Sequence, residues 1–417
     1  MFTCTPGSSA SLVVGAYSDS GFTNPITEGD ALATVYLKSV PTDFTPIAYL
    51  FFYEDVNGDL WKIYHGANDN TSWTITNAAL GAGSVYCIAT EDGDNWIGND
   101  LDFEVTGVPL LMDDFTFIWG VSNVLLRTAF VSPLVNFRRS SDNATADFST
   151  DIASTPIQIT GNSIASNSAP SSHDGSALST FAAAMNAFSP KMYDHSVNGN
   201  DASQTTVGNQ PQGVSGGVLF TIGGNAAFDF NGTSMHLNGW INALAPASFQ
   251  SLGTSITIIA KVNADAVSAS SGAVWLAAYT IIDFRQMATT TSKVPFLFGI
   301  DNSKLHIGVA SNGNSAYEIK QSTATLTTAT DYVLAVTING NTVKLYINGA
   351  LDSTHTLTTA TGTRNVSTTN SSLRVGARTT DALASTSYLN GRLSSLAISD
   401  QVLTDAQILD IYNNYPL

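Results

Sequence analysis

Two acidic side chains, Glu318 and Asp283, are the first candidates for chemistry in this chain. Hydrolysis of a glycosidic bond with retention needs two carboxyl groups about 5 Å apart, one as nucleophile and one as acid and base. Glu318 is the only glutamate after Glu104, and its pattern beside Lys320 is typical of an exposed strand. Asp283 interrupts an apolar run two residues before Arg285, so both side chains share a strand face. This spacing favours a structural ion pair, and we predict no catalytic residue.

A polar loop at residues 193–201 is a second candidate site. Tyr193, Asp194 and Asn198 could bind the hydroxyl groups of a sugar or a calcium ion. The favoured alternative is that Asp194 and Asn198 close the turn through Asx hydrogen bonds.

Aromatic rings supply the third kind of candidate, because a sugar ring can stack on them. Trp240 and Trp275 are possible platforms, although a Trp in a β-sandwich is more often a core residue. We place Trp240 and Tyr388 with the Asp283 and Arg285 pair at a binding rim. The predicted ligand-binding set is Trp240, Asp283, Arg285, Tyr388, Tyr193, Asp194 and Asn198.

No metal centre is predicted. The two cysteines are Cys4 and Cys87, with His65 as the only nearby histidine, so a zinc site is set aside. The two cysteines could form a disulfide or remain two buried thiols. Residues 55–59 partly resemble a calcium loop but lack the distal glutamate, so a hairpin is favoured. We expect no cofactor, with calcium left open.

Charge and composition exclude several classes of protein. The net charge is −17, only 12% of residues are charged, and no run of Lys or Arg occurs, so binding to nucleic acid is not expected. No apolar stretch reaches the roughly 18 residues that span a bilayer, and no signal segment is visible at the N-terminus. The 417 residues exceed one ordinary domain.

The elements that must position these residues are mostly strands. Residues 1–107 predict an immunoglobulin-like β-sandwich, with a hairpin turn at Asn57 and Gly58. Residues 108–190 predict a connecting segment packed on the second domain, with helices at 118–127 and 179–188 and a loop at 160–176. The seven strands predicted in the first domain are 11–17, 31–40, 47–53, 60–65, 72–76, 85–90 and 101–106.

From residue 190 to 402 the pattern is strand and turn throughout. Seven of the eight Asn-Gly dipeptides lie between Asn198 and Gly391, at spacings typical of repeated hairpins, and the pair at Asn348 and Gly349 is predicted to close a hairpin or a tight reversal. Thr404 is expected to cap a terminal helix whose buried stripe contains Ile408, Ile411 and Tyr412.

Four motifs in the second domain carry a family resemblance. Together they resemble the catalytic β-sandwich of α-L-arabinofuranosidase B over residues 119–240, and the pattern continues as a laminin-G-like one at 332–349, 373–376 and 389–398. The resemblance implies a concanavalin A-like jelly roll over 108–417 with a short C-terminal helix, hence an all-β protein. That family uses a Glu and an Asp near a vicinal cysteine pair, whereas no cysteine follows Cys87 here. The motifs are residues 138–143 (Arg-Arg-Ser-Ser-Asp-Asn), 192–204 (Met-Tyr-Asp-His-Ser-Val-Asn-Gly-Asn-Asp-Ala-Ser-Gln), 210–213 (Gln-Pro-Gln-Gly) and 227–232 (Ala-Phe-Asp-Phe-Asn-Gly).

The resemblance also implies a function. Modules of this kind look familiar from phage structural proteins, so we expect a bacteriophage spike or fibre on the virion surface, made in the host cytoplasm without a signal peptide. Its 108–417 domain would bind host-surface carbohydrate, while 1–107 attaches it to the particle. Expected partners are other virion proteins and further copies of the chain, as in a trimer, with no nucleic acid and no membrane insertion. We predict that it is not an enzyme; the alternatives are an arabinofuranosidase-like glycosidase or depolymerase, and a purely structural capsid decoration.

Overall fold

The structure is a computed structural model of the whole chain, and the chain divides into two compact units, Met1–Leu111 and Met112–Leu417. Each unit is described by itself. The residues that the structure describes are 11–17, 34–42, 48–55, 60–67, 70–74, 82–90, 96–104, 117–120, 133–151, 158–196, 198–250, 252–269, 277–286, 293–310, 317–364, 370–380 and 382–414.

The first unit is built of antiparallel strands in two sheets. One sheet has the order β1-β2-β5 and the other β4-β3-β6-β7, and a division into three and four strands is that of an immunoglobulin-like sandwich. Each strand overlaps a predicted one. Cys4 and the predicted turn at Asn57 and Gly58 lie outside the described residues. The strands are β1 Ser11–Tyr17, β2 Thr34–Thr42, β3 Ala48–Asp55, β4 Leu60–Gly66, β5 Asn70–Thr74, β6 Ala82–Thr90 and β7 Trp96–Glu104.

The second unit contains the remaining described strands and the helices. The helices are α1 Leu178–Phe181, α2 Ala247–Gln250 and α3 Asp405–Asn414, with 3₁₀ turns at Ser171–His173 and Val207–Asn209. The strands are β8 Phe117–Gly120, β9 Val135–Arg139, β10 Thr145–Phe148, β11 Ala165–Ala169, β12 Ala187–Met192, β13 Ala202–Ser203, β14 Gln212–Ser215, β15 Val218–Leu219, β16 Thr221–Ile222, β17 Asn225–Ala226, β18 Phe228–Asn231, β19 Leu237–Ala243, β20 Ser255–Ala264, β21 Tyr279–Gln286, β22 Lys293–Asp301, β23 Lys304–Val309, β24 Glu318–Gln321, β25 Asp331–Asn339, β26 Thr342–Ile347, β27 Ala350–Thr356, β28 Ser371–Val375, β29 Arg378–Thr379, β30 Ser385–Thr386 and β31 Asn390–Ser399.

Two antiparallel layers enclose the core of this unit. The front sheet has the order β13-β19-β28-β21-β22-β23-β24, and the back sheet has the order β31-β20-β25-β26-β27, with β8 and β18 both paired along β31. Alternate residues of both sheets meet in one buried cluster; examples are Phe284 and Leu373 of the front sheet and Ile258 and Leu334 of the back sheet. Because side chains alternate along a strand, the intervening residues form the outer faces.

The predicted helices of the connecting segment are largely wrong. Ile118 and Trp119 lie in β8, which pairs with β31, and the rest of the predicted helix at 118–127 is outside the described residues. The predicted helix at 179–188 gives only α1, and β12 begins at Ala187 and pairs with β9. The predicted loop at 160–176 contains β11, which pairs with β10. Tertiary pairing overrides the local helical spacing here.

Two local predictions in the second unit are confirmed. Asn348 and Gly349, with φ of 52° and 78°, join β26 to β27 in a tight turn that needs positive φ. Thr404 precedes α3, and its hydroxyl accepts the Gln407 N–H while the Gln407 carboxamide accepts the Thr404 N–H, which is a capping box. Ile408 and Ile411 form the buried side of this helix, but Tyr412, which was predicted in the same buried stripe, is 40% exposed.

The Asn-Gly pair at Asn339 and Gly340 also lies at a hairpin turn, between β25 and β26, whereas two other pairs do not. Asn238 and Gly239 lie inside β19, and Asn390 and Gly391 open β31. A Cβ on Gly391 would lie 2.4 Å from the Asn263 carbonyl oxygen, so this glycine permits a close approach of two backbones. Among the described helices, none is long and apolar enough to cross a membrane.

Candidate functional site

A row of polar side chains runs across the outer face of the front sheet and onto β12, which pairs with its strand β13. Successive cross-strand partners are Lys191, Ser203, Asn238, Arg374 and Asp283. Since neighbouring strands lie about 4.8 Å apart, the row spans roughly 20 Å. We call these five residues the front-face row. Lys191, Ser203 and Asn238 are half-buried or exposed, whereas Arg374 and Asp283 are buried.

Arg374 fixes the middle of the row. Its Nε donates to the Asn238 Oδ1 at 3.0 Å, and its Nη2 donates to the Leu383 carbonyl at 2.8 Å. Burial lowers the pKa of this guanidinium, while Asp283 and Tyr388 act in the opposite direction. Its Nη1 makes no hydrogen bond with any described residue. The Asn238 Oδ1 therefore already accepts a hydrogen bond, and its amide nitrogen remains available to donate to a ligand.

Asp283 forms the buried end of the row. Its Oδ2 accepts the Thr379 N–H at 2.8 Å and lies 3.5 Å from the Arg285 Nε. Burial raises the pKa of Asp283, and the attraction of Arg285 and the hydrogen bond from Thr379 oppose that rise. Asp283 thus ties β29 to the front sheet. The predicted ion pair with Arg285 is present and buried, with side-chain exposures of 0% for Asp283 and 1% for Arg285.

His236 and Tyr388 flank the row beside Asn238. The His236 Nδ1 lies 2.8 Å from the Ser234 carbonyl and so carries the proton, which leaves Nε2 to accept from Gln204 and Ser385. Burial lowers the pKa of His236, consistent with a neutral ring. The Tyr388 ring lies 6.0 Å from the His236 ring and is half-buried.

Tyr193 extends the other end of the row. The Lys191 ammonium lies 4.2 Å from the centre of the Tyr193 ring and forms an ion pair with Asp201 at 2.8 Å. The Tyr193 hydroxyl donates to Asp147 at 2.7 Å, and burial raises the pKa of this phenol. The structure therefore brings four predicted site residues to one sheet face: Tyr193, Asp283, Arg285 and Tyr388.

The other predicted site residues have mainly internal contacts. Asp194 is buried and accepts from the backbone N–H groups of Ile118, Ser196 and Asn200, so it ties the 193–201 loop to β8. This arrangement includes the Asx turn that was the favoured alternative. Asn198 is exposed and donates its N–H to the Ser196 hydroxyl.

Trp240 packs with the core on one side of β19. Its ring meets Phe249 at 4.9 Å and Phe284 at 5.6 Å, both edge-on, and its Nε1 donates to the Ser371 hydroxyl at 2.8 Å. Trp275 lies outside the described residues.

Glu318 is not the solvated strand residue that the sequence predicted. Its Oε1 accepts backbone N–H bonds from Thr358 at 2.6 Å, from Thr359 and from Ala360 at 2.9 Å, and its Oε2 lies 3.2 Å from the Lys320 ammonium. These N–H donors hold the pKa of Glu318 at about 2, although partial burial acts in the opposite direction. Glu318 thus links the front-sheet edge to the loop after β27.

Sequence reasoning missed Ser203, His236, Asn238 and Arg374. A signal for Arg374 exists, because it alternates with apolar Leu373 and Val375 on a strand otherwise directed inward. Within the described part of the chain, no group of three or more His, Cys, Asp or Glu side chains is placed to hold a metal ion.

The two facing sheets and the terminal helix define the second unit as a jelly-roll β-sandwich, as predicted. Residues 231–409, less than half of the chain, match the family model described as the concanavalin A-like lectin/glucanases superfamily. This match includes Asn238, Arg374 and Asp283 of the front-face row. No curated protein matches the chain.

Solved structures similar to this chain come from several enzymes and binding modules. Domain 4 of AbnA, a GH43 extracellular arabinanase from Geobacillus stearothermophilus, in complex with arabinotriose, is 15% identical, with 47% of this chain and 81% of that chain covered and a TM-score of 0.33. The CBM40 of the Ruminococcus gnavus IT-sialidase, bound to α2,3 sialyllactose, is 13% identical, with 46% and 96% covered and a TM-score of 0.34. The Trypanosoma rangeli sialidase in complex with sialic acid is 11% identical, with 97% and 52% covered and a TM-score of 0.37.

The prediction that the protein is not an enzyme is corrected by these comparisons. The similar structures include a sialidase and a domain of an arabinanase. A non-enzymatic role is therefore not proposed.

Proposed function

We propose that the second unit binds carbohydrate along the exposed end of the front-face row. The observation that carries this proposal is the lectin/glucanase family match over residues 231–409, which covers the centre of the row at Asn238 and Arg374. The row adds a surface whose chemistry suits hydroxylated ligands.

The exposed end of the row offers both donors and acceptors. Ser203 supplies a hydroxyl, Asn238 an amide nitrogen, and the pair of Lys191 and Asp201 an ammonium beside a carboxylate. The ring of Tyr193 is an apolar surface against which the C–H groups of a sugar can pack. Because Arg374 already holds Asn238, little ordering is needed on binding.

Binding to immobilised bacterial-surface polysaccharides and arabino-oligosaccharides tests this proposal. Ser203→Trp would fill the exposed part of the row and should weaken binding at least tenfold. Thr325→Trp is the matched control, because Thr325 is also exposed and lies outside the row. Equal binding by wild type and Ser203→Trp, or no binding to any glycan, would sink the proposal. Each sample is also assayed for released sugars, and for dependence on calcium by comparing EDTA with added calcium chloride.

The wider role that we propose is attachment of a bacteriophage to its host. The support is the resemblance of residues 119–240 to arabinofuranosidase-like modules of phage structural proteins, and a composition with few charged residues. In this proposal the protein lies on the virion surface as a homo-oligomer such as a trimer, with the first unit bound to other virion proteins. Mass spectrometry and immunogold labelling of purified particles test the location. Absence from the particles would refute it and leave the carbohydrate site to be judged by the binding assay.

A further inference from the structure

A cleft with a volume of about 530 Å³ opens on the outer face of the back sheet. It therefore lies on the opposite side of the sandwich from the front-face row. Its floor is formed by β25 and β26, where Thr337 pairs with Lys344 and Asn339 pairs with Thr342. Its far wall is the segment that leads into α3, including Leu403. We call this feature the back cleft.

The back cleft is held open by hydrogen bonds within the fold. The Thr257 hydroxyl donates to the Gln401 carbonyl at 2.7 Å and accepts the Leu403 N–H at 3.1 Å, which fixes the far wall over β20. The capping box of Thr404 and Gln407 then fixes the start of α3. A ligand would thus meet a preformed site, so little free energy would be spent on ordering it.

The charges of the back cleft are balanced. The Lys344 ammonium lies 2.6 Å from the Asp405 Oδ1, which also accepts the Tyr346 hydroxyl at 2.8 Å. Within the cleft an anionic ligand would meet the Asp405 carboxylate, and a cationic ligand would meet the Lys344 ammonium. This pair selects against strongly charged ligands while offering one donor and one acceptor.

The remaining lining is mainly polar with a small apolar part. Thr342 contributes an exposed hydroxyl, Asn339 an exposed amide and Val402 a half-buried apolar surface, whereas the Thr337 and Leu403 side chains are buried. Hydroxyl and amide groups match the vicinal hydroxyls of a sugar, and an aliphatic surface matches its C–H face. The volume falls within the range of about 300–1,000 Å³ that is typical of small-molecule sites.

We propose that the back cleft is a second binding site, for a neutral sugar of one or two rings. This inference goes beyond the proposed function, because the two sites share no residue and lie on opposite sheets. Two sites on one unit would allow the protein to engage two sugars of the same or of neighbouring chains.

Titration with methyl glycosides of glucose, galactose and arabinose, followed by ¹H–¹⁵N NMR of the full chain, tests the inference. We expect amide shifts at Thr342, Lys344 and Leu403 with at least one of these neutral sugars, and none with glucuronic acid or glucosamine. Thr342→Trp, which fills the cleft from an exposed position, should abolish those shifts. Asp405→Asn, which removes the carboxylate but keeps its shape, should weaken binding at least fivefold. Thr325→Trp should leave the shifts unchanged.

The outcomes separate the two sites. Shifts at the back cleft that persist in Ser203→Trp, but not in Thr342→Trp, support the inference whatever happens at the front-face row. If shifts occur at the row alone, or if Thr342→Trp leaves every shift intact, the inference is overturned while the proposed function stands. If glucuronic acid or glucosamine shifts the cleft amides as strongly as the neutral sugars do, the inference of a neutral-sugar site is overturned.

Discussion

The outer faces of the two sheets each carry an aspartate beside a cation, in opposite environments. Asp283 and Arg285 on the front sheet lie 3.5 Å apart with side chains 0% and 1% exposed. Asp405 of α3 and Lys344 of the back sheet lie 2.6 Å apart with side chains 51% and 34% exposed. Burial raises the pKa of Asp283, whereas the hydrogen bond from Lys344 lowers the pKa of Asp405.

The difference comes from what covers each sheet. On the front sheet, β29 lies over Asp283 and donates the Thr379 N–H to it, so that water is excluded. On the back sheet, α3 leaves a cleft and water reaches the pair. A short ion pair in water contributes little to stability, while a longer buried one becomes costly to break because the remaining charge is left without its partner. Distance alone is therefore a poor guide to the importance of an ion pair.

The largest expected effect is that of removing the buried carboxylate. Asp283→Ala should lower the free energy of unfolding of the second unit by about 3–5 kcal/mol, since Arg285 would remain buried beside an empty position. Asp405→Ala should cost about 0–1 kcal/mol. Urea unfolding measures both. Equal losses of unfolding free energy in Asp283→Ala and Asp405→Ala would contradict the comparison. The control is Asp283→Asn, which keeps the shape of the side chain and should cost less than Asp283→Ala.

The next largest expected effect on stability comes from the packing of α3 against the back sheet. Gly349 has φ of 78°, and a Cβ there would lie 2.8 Å from the Tyr412 Cβ of α3. Gly340 has φ of 58° and open space around it. Gly349→Ala should cost about 2–3 kcal/mol, from strain and overpacking, and Gly340→Ala about 1–2 kcal/mol from strain alone. Thermal melting compares the two variants. A larger loss of stability in Gly340→Ala than in Gly349→Ala would show that α3 shifts easily to accommodate the added methyl group.

The pH dependence of stability should have opposite signs at the two aspartates. A raised folded pKa means that the folded state binds the proton more tightly, so the contribution of Asp283 should fall as pH rises above the ordinary carboxyl range. A lowered folded pKa means the reverse, so the contribution of Asp405 should be lost as pH falls below about 4. Unfolding curves of wild type, Asp283→Asn and Asp405→Asn between pH 3 and 8 test this. Parallel pH profiles would contradict it.

Salt should produce the smallest effect. Raising the ionic strength to 1 M shortens the screening length to about 3 Å, which weakens an exposed pair far more than a buried one. The stability difference between wild type and Asp405→Asn should therefore shrink, and that between wild type and Asp283→Asn should persist. A salt-sensitive Asp283 would mean that water reaches the front pair.

Local sequence patterns predicted the strands of the first unit, the turn at Gly349, the cap at Thr404 and the pairing of Asp283 with Arg285. Each depends on residues close together in the chain. The burial of Asp283 could not be predicted, because Thr379 covers it from almost a hundred residues away. The helical spacing at 179–188 gave a wrong prediction for a similar reason. Strand β12 forms there because it pairs with β9 and β14, which lie elsewhere in the chain.

The candidate site was predicted only at its ends. Tyr193, Tyr388 and Asp283 were found by residue type, but the middle of the row depends on the register of β13, β19 and β28. The exposed residue Ser203 gives no signal by itself. A row across strands becomes visible only when the order of the strands in the sheet is known.

The contact made by Glu318 has a consequence for the exchange of amide hydrogens with solvent. The N–H groups of Thr358, Thr359 and Ala360 follow the last described strand of the back sheet and belong to no strand ladder, yet all three donate to one carboxylate on β24. Their hydrogens can exchange only when the hydrogen bonds to the Glu318 carboxylate break. The loop after β27 should therefore be protected from exchange as strongly as a strand. Deuterium uptake at these three positions would then report how often the open edges of the two sheets separate, on a timescale of minutes to hours that no static distance reveals.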